Sequence, residues 1–378
     1  MRPDNLFRSF FIGGFECADQ VNRFGERINL LKITEHDIRI EEDYRLLSGL
    51  GIFTAREGIC WSSVEKIPGV YDWSEVLQRM KTAEKFGIQV IWDLIHFGYP
   101  DGIFPTHPHF AERFENLCLS FCNFYKQHSA EPLFVVPCNE ISFLSWFSGE
   151  ARGTVPYAVH NGWDIKYHLC KAVLAGIRIL KSEIPECKIV MVEPLIKIHN
   201  SGNDDADYLF RRNEYQFEAV DIIAGRMCPE LGGREDYLEV LGFNYYWNCQ
   251  WKGEEESIDW PTSGEERTPF NQLLLAAYKR YQKPVFISET GHFGEGRVPL
   301  LEEITAECLL AQANGVDFHG ICIYPIIDRP DWDNLLHYHN SGIYDLDENQ
   351  NRIPLQEYVE SLEQQQKLVR ESVIFESN

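Results

Sequence analysis

Residues 132–140 read PLFVVPCNE, and residues 283–291 read KPVFISETG. Each is a short run of branched and aromatic residues that ends in a glutamate. Runs that are apolar on both faces behave as strands covered from both sides, as in a parallel sheet. Six further runs share this character: Phe10–Phe15, Phe53–Glu57, Gln89–Leu94, Lys188–Val192, Val240–Asn244 and Gly320–Tyr324. With Phe134–Cys138 and Val285–Ser288 the chain carries eight candidate strands. Stretches of helical period separate them. Asp72 with Glu75 forms a capping-box start for a face made of Val76, Leu77, Met80, Ala83 and Phe86. Phe114, Leu117, Cys118, Phe121, Phe124 and Tyr125 repeat the pattern, as do Cys170, Val173, Leu174, Ile177 and Leu180 ahead of Pro185. Thr268-Pro269 opens another helix with proline in its first turn, and Leu301 to Asn314 closes on Gly315. Eight strand–helix units predict a single (β/α)8 barrel spanning residues 1–378. The alternative is a doubly wound nucleotide-binding sheet. It needs a glycine-rich turn after its first strand, and Gly13-Gly14 is not GxGxxG.

Lys and Arg number 35 against 58 Asp and Glu, a net charge of −23. That balance argues against nucleic acid and against an anionic membrane surface, and it suits a neutral substrate. The eleven cysteines are scattered without a CxxC pair, which predicts reduced thiols and a cytoplasmic protein. The first twenty residues lack the features of a secretory leader, and no apolar run is long enough to span a bilayer. Nine Trp and an aromatic content of 13% fit either a large core or stacking on sugar rings. Residues 250–269 form an acidic segment (Glu254, Glu255, Glu256, Asp259, Glu265, Glu266) after the sixth strand. Its Trp251 and Trp260 either line a cleft or anchor a solvated loop.

In a barrel of this kind, the chemistry sits at the C-terminal ends of the strands. The ring of polar residues there comprises Glu16, Gln20, Arg56, Glu57, His96, Asn139, Glu140, Glu193, Asn244, Tyr245, Tyr246, Glu289 and Asp328. Glu140 ends the fourth strand and Glu289 the seventh, facing each other across the mouth. Two carboxylates converging to roughly 5 Å support retaining glycoside hydrolysis, one as nucleophile and the other as acid and then base. The nucleophile must stay ionised, and Arg56 and the Tyr246 hydroxyl are its candidate partners. The acid must hold its proton, which burial and a neighbouring negative charge favour. Asn139 is placed to hold the sugar 2-hydroxyl. Glu57 and Glu193 read as supporting hydrogen-bonders, with Glu193, which ends the fifth strand, favoured as a further substrate contact.

Taken in order, these segments resemble glycoside hydrolase family 1 of clan A, the β-glucosidase and β-galactosidase family. Gly13 and Gln20 fit its first-strand signature, and His96-Phe97-Gly98-Tyr99-Pro100 is similar to its His-Trp-Asp-Leu-Pro. Its Asn-Glu-Pro becomes Asn139-Glu140-Ile141, and its Asn-Tyr-Tyr stands at Asn244, Tyr245 and Tyr246. Its Thr-Glu-Asn-Gly becomes Ser288-Glu289-Thr290-Gly291. Tyr324-Pro325-Ile326-Ile327-Asp328-Arg329-Pro330-Asp331-Trp332 echoes its eighth-strand signature, and Gly342-Ile343-Tyr344 follows. The resemblance runs from about Phe11 to Asp345. It implies Glu140 as acid/base, Glu289 as nucleophile, and Arg56 and Tyr246 as partners of the nucleophile. It also implies a sugar subsite of Gln20, His96, Asn139, Asn244, Tyr324, Asp331 and Trp332, without cofactor or metal. The ligand it implies is a small-molecule or oligosaccharide β-glycoside. Three departures alter that subsite: Phe97 and Tyr324 stand where the family has Trp, and Asp331 where it has Glu.

Three alternatives remain from the sequence. A transglycosidase would use the same residues with another acceptor. A silent sugar-binding barrel would keep the pocket without turnover. A metal-dependent hydrolase would draw on His107 with His109, or His337 with His339, although neither pair has an ordered carboxylate partner.

Overall fold

The computed structural model describes residues 5–202, 204–253, 256–261 and 266–376. Glu254, Glu255 and Glu265 of the acidic segment lie outside the described residues.

Eight parallel strands close into a barrel: β1 Phe11–Gly14, β2 Thr54–Gly58, β3 Gln89–Asp93, β4 Phe134–Val136, β5 Lys188–Pro194, β6 Val240–Asn244, β7 Val285–Thr290 and β8 Phe318–Ile323. Each pairs with the next in sequence, and β8 closes on β1 with Phe11 opposite Ile321. The eight expected strands are all present, and the architecture is the (β/α)8 barrel. Ile12, Ile91, Phe134, Val136, Val190, Val192, Val240, Phe286 and Cys322 point inward and fill the barrel. Phe7 stops its N-terminal end, its ring 5.0 Å from that of Phe286. The opposite faces of the strands pack on the helices, including Phe110–His128 and Gly162–Glu183. No helix among the described residues is long and apolar enough to cross a membrane.

Boundaries moved where local chemistry outweighed the pattern. β4 stops at Val136 because Pro137 has no N–H to give the ladder. The helix expected from Asp72 begins at Ser74, with Asp72 Oδ1 accepting from Ser74 N at 3.0 Å. Pro269 caps helix Phe270–Tyr281 rather than lying inside its first turn. The helix ending before Gly315 begins at Arg297, four residues earlier than Leu301.

Beneath β2 lies a buried charge cluster. His36 sits between Asp43 Oδ2 (2.7 Å) and Glu57 Oε1 (3.0 Å), and Arg352 forks onto Asp43 at 2.6 and 2.8 Å. Tyr44 also donates to Glu57, at 2.8 Å. Burial alone would lower the His36 pKa, but Glu57 and Asp43 outweigh it and raise it from 6.5 to about 9. A group whose folded pKa is raised contributes stability that is fully present below its unfolded pKa and is lost as pH rises through the folded one. The denaturation midpoint should therefore fall between pH 6.5 and about 9, with up to about 3 kcal/mol at stake. Urea titrations of the wild type and His36→Gln across that window check this. The wild type should lose stability that the variant, already weaker, does not.

Candidate active site

Glu140 and Glu289 reach the barrel mouth by different local devices. Glu140 follows β4 and caps helix Ile141–Gly149 in a left-handed conformation, φ 46° and ψ 64°. That conformation is strained for a residue with a Cβ, at a cost of roughly 1–3 kcal/mol, and persists only where the surroundings impose it. Here Glu140 N donates to Val192 O at 3.0 Å, and Leu144 N donates to Glu140 O at 2.8 Å. Glu289 is aimed by an irregularity in β7. Ile287 pairs with Phe243, but Glu289 pairs with Asn244, so two steps on β7 face one on β6. Such a bulge re-aims a side chain at a strand end. It also brings Ser288 Oγ onto Asn244 Oδ1 at 2.6 Å. Gly242 makes this approach possible, since a Cβ there would lie 2.6 Å from Ser288 Oγ.

The side chains then interlock. Arg56 Nη1 donates to Glu289 Oε1 at 2.6 Å, and Tyr246 Oη donates to Glu289 Oε2 at 2.8 Å. Arg56 also forks onto Asp93 (3.1 and 2.6 Å) and reaches Asn139 Oδ1 at 2.7 Å and Ser288 O at 3.0 Å. Asn244 Nδ2 donates to Glu140 Oε1 at 2.9 Å. Burial and the Glu289 charge push the Glu140 carboxyl well above the usual carboxylate range, against the opposing Asn244 hydrogen bond. Burial and the same charge push the Tyr246 phenol up, so it remains a donor. The two glutamates thus occupy opposed environments, one gripped by a fixed cation and the other desolvated beside a negative charge.

His96 Nδ1 faces Asp93 Oδ2 at 2.8 Å, and its Nε2 lies 3.3 Å from both Asn139 Nδ2 and Tyr324 Oη. Burial would lower its pKa, but the Asp93 hydrogen bond and charge raise it. The Tyr324 and His96 rings stack at 5.9 Å. Gly14 leaves room for Tyr324, since a Cβ there would meet its ring at 2.1 Å. Both amide atoms of Gln20 and Nε1 of Trp332 are buried without a hydrogen-bond partner among the described residues. Trp332 packs edge-on to Phe97 at 5.5 Å. Asp331 is directed elsewhere. Its Oδ1 accepts from the backbone of Asp333 (2.8 Å) and Asn334 (3.1 Å), and Oδ2 faces His339 at 3.3 Å. With His109 facing Glu112 at 3.1 Å, each histidine pair does have a carboxylate partner, contrary to expectation. Among the described residues Asp331 makes no hydrogen bond to the Glu140–Glu289 cluster.

Two residues that organise the site escaped the sequence reading. Asp93 pins both Arg56 and His96, and Ser288 holds Asn244. Glu193 differs from its expectation as a substrate contact: both carboxylate oxygens turn back to Ser142 N, at 3.0 and 3.4 Å. Glu57 faces His36 and Tyr44, away from the mouth. Cys17, Asp93 and His96 bring donor atoms within 4.8 Å of one another, but Arg56 already occupies both Asp93 oxygens. After β6 and β7, Trp247, His292 and Phe293 cluster together, with Trp247 5.2 Å from His292 and 5.3 Å from Phe293. Trp260 also reaches His292, and Trp251 lies in the short strand Gln250–Lys252.

No family model and no curated protein sequence matches the chain. Solved structures do match its fold. A structure described as a family 1 b-glucosidase from Thermotoga maritima superposes with a TM-score of 0.74 at 14% identity, covering 95% of this chain and 98% of that one. A complex of the virulence factor SghA with its substrate analog salicin gives 0.76 at 16% identity, covering 95% and 96%. The Thermotoga maritima beta-glucosidase bound to glucoimidazole gives 0.72 at 14% identity, covering 96% and 98%. At these identities the likeness is one of fold.

Proposed function

We propose that this chain is a retaining β-glycosidase, a divergent member of glycoside hydrolase family 1 that acts on a β-linked glycoside. The observation that carries the reading is the opposed state of two glutamates at one barrel mouth. Glu289 accepts from the Arg56 guanidinium and the Tyr246 hydroxyl, while burial and the Glu289 charge push the Glu140 carboxyl well above the usual carboxylate range. Strands β4 and β7 supply them, and the fold is shared with structures described as b-glucosidases.

In the reaction, a Glu289 oxygen attacks the anomeric carbon as the glycosidic C–O bond breaks. Glu140 gives its proton to the departing oxygen, leaving a glycosyl ester on Glu289. Glu140, now a base, takes a proton from water. The water oxygen bonds to the anomeric carbon and Glu289 is released. The unpartnered Gln20 amide and Trp332 Nε1, with His96, Asn139, Asn244 and Tyr324, form the sugar subsite. Unpaired buried polar groups are costly unless a ligand pairs them. Asp331 supports this subsite by fixing the turn that presents Trp332. We read the whole chain as one domain, and its scattered free thiols support a reducing, cytoplasmic setting.

Aryl β-glycosides test this, presented as a panel of glucoside, galactoside, fucoside, mannoside, xyloside and glucuronide. The reading expects hydrolysis of at least one, and the preferred sugar reports what Phe97 and Tyr324 have made of the pocket. Binding without turnover of any would favour a silent sugar-binding barrel.

A further inference from the structure

Glu193 is buried at the end of β5, directly behind the candidate acid, and the proposed reaction does not use it. Its oxygens take the backbone N–H of Ser142 at 3.0 and 3.4 Å, in the first turn of helix Ile141–Gly149. A carboxylate at a helix N-terminus satisfies an otherwise orphaned donor and meets the positive end of the helix dipole. Glu140 is the residue that caps this same helix, and its N–H bonds Val192 O, one residue before Glu193. Asn139 bridges to Val192 as well. The end of β5 therefore holds the backbone of Asn139 and Glu140 from one side, and the Glu193 side chain holds Ser142 from the other.

We propose that Glu193 is a positioning residue for Glu140: it fixes the strained turn that presents the acid and places a second ionisable carboxyl behind it.

Among the described residues no cation forms an ion pair with Glu193. Lys166, on helix Gly162–Glu183, is a cation whose charge acts on Glu193. Its Nζ is committed to Glu218 Oε2 (2.7 Å) and Tyr215 O (3.0 Å). Cys138 of the strand end and Cys170 of the same helix also face Glu193, and their thiols are pushed up by burial and by its charge. Burial raises the Glu193 carboxyl to about 7, against the Ser142 hydrogen bond. Around Glu140 stand Glu289 and Glu193, which raise its pKa, and Asn244 and Arg56, which lower it. Tyr246 and Cys249 face it from the segment after β6, and both titrate far above neutrality. Glu193 is thus a neighbour of Glu140 whose carboxyl is raised toward neutral pH, and its ionisation makes the proton on Glu140 harder to lose.

The inference rests on the reading of Glu140 as the acid, so its test reads the carboxyls directly rather than turnover. Carbon-13 NMR of glutamate-labelled protein, assigned with Glu140→Gln, follows the Glu140 and Glu193 signals from about pH 4 to about pH 9. In the wild type the two should titrate as a coupled pair, each signal showing both steps. In Glu193→Gln, which keeps an acceptor for Ser142 and removes the charge, the Glu140 midpoint should fall by about half a unit or more, about threefold in its acid constant. Glu193→Asp keeps the charge and should leave the midpoint near the wild-type value. Independent single-step curves in the wild type, an unmoved midpoint in Glu193→Gln, or an equal fall in Glu193→Asp would each overturn the proposal. A barrel without glycosidase activity still gives these curves, so failure of the catalytic reading is seen separately, in the glycoside panel. Where turnover is present, the alkaline limb of kcat/KM should move down in Glu193→Gln with the NMR midpoint.

Discussion

Replacing Glu289 by Gln should lower kcat for the best aryl β-glycoside by about 10,000-fold or more while the protein stays folded. Removing a covalent nucleophile costs this order of rate, because no other group can form the intermediate. The fold should tolerate the change because Gln has nearly the same shape and keeps an oxygen for Arg56 or Tyr246, which now reach it at 2.6 and 2.8 Å. Arg56 also keeps its fork on Asp93, so no guanidinium charge is left buried alone. Activity and stability therefore separate in this variant. The measurement is kcat beside a urea midpoint.

Arg56→Met should lose both. The Arg56 guanidinium is buried and ties together Asp93, Asn139, Ser288 and Glu289. Methionine fills the volume but leaves the Asp93 and Glu289 carboxylates facing each other without a cation. Breaking a buried pair by deleting one partner costs about 3–5 kcal/mol. The urea midpoint should drop sharply, with turnover lost even where the protein remains folded. Arg56→Lys restores the charge but not the planar fork, so it should recover part of the stability and little of the rate. A midpoint for Arg56→Met within error of wild type would mean that this network does not hold the barrel mouth together.

The strands were legible because most are nearly continuous in apolar character, a pattern that solvent-facing strands do not show. Their ends were less so. β8 begins at Phe318 because His319 is buried there and faces Asp317 and Asn5, which a hydropathy pattern reads as loop. Helix His36–Gly49 was missed because it carries His36, Asp43 and Tyr44 on its buried side, polar groups that only the contacts of Glu57 and Arg352 make acceptable there. In the site, the residues at strand ends could be placed because strand order fixes which of them share the mouth. The direction in which a carboxylate near the mouth turns could not. Asp331 and Glu193 are both close to the expected region, yet each is drawn to backbone N–H groups of its own turn or a neighbouring helix. Sequence spacing carries no information about that competition. Asp93 was hidden for a related reason: its work is to hold Arg56 and His96, and nothing in a strand pattern distinguishes a buried anchor from a strand terminus.

The central claim is that Glu289 and Glu140 cleave a β-glycoside by two displacements on one carbon. The most direct test is proton NMR of the sugar released in the first minutes of hydrolysis of the best aryl β-glycoside, before the anomers equilibrate. A first-formed β-anomer is the predicted result, since two inversions restore the configuration. A first-formed α-anomer would mean a single displacement by water, and Glu289 could not be the nucleophile.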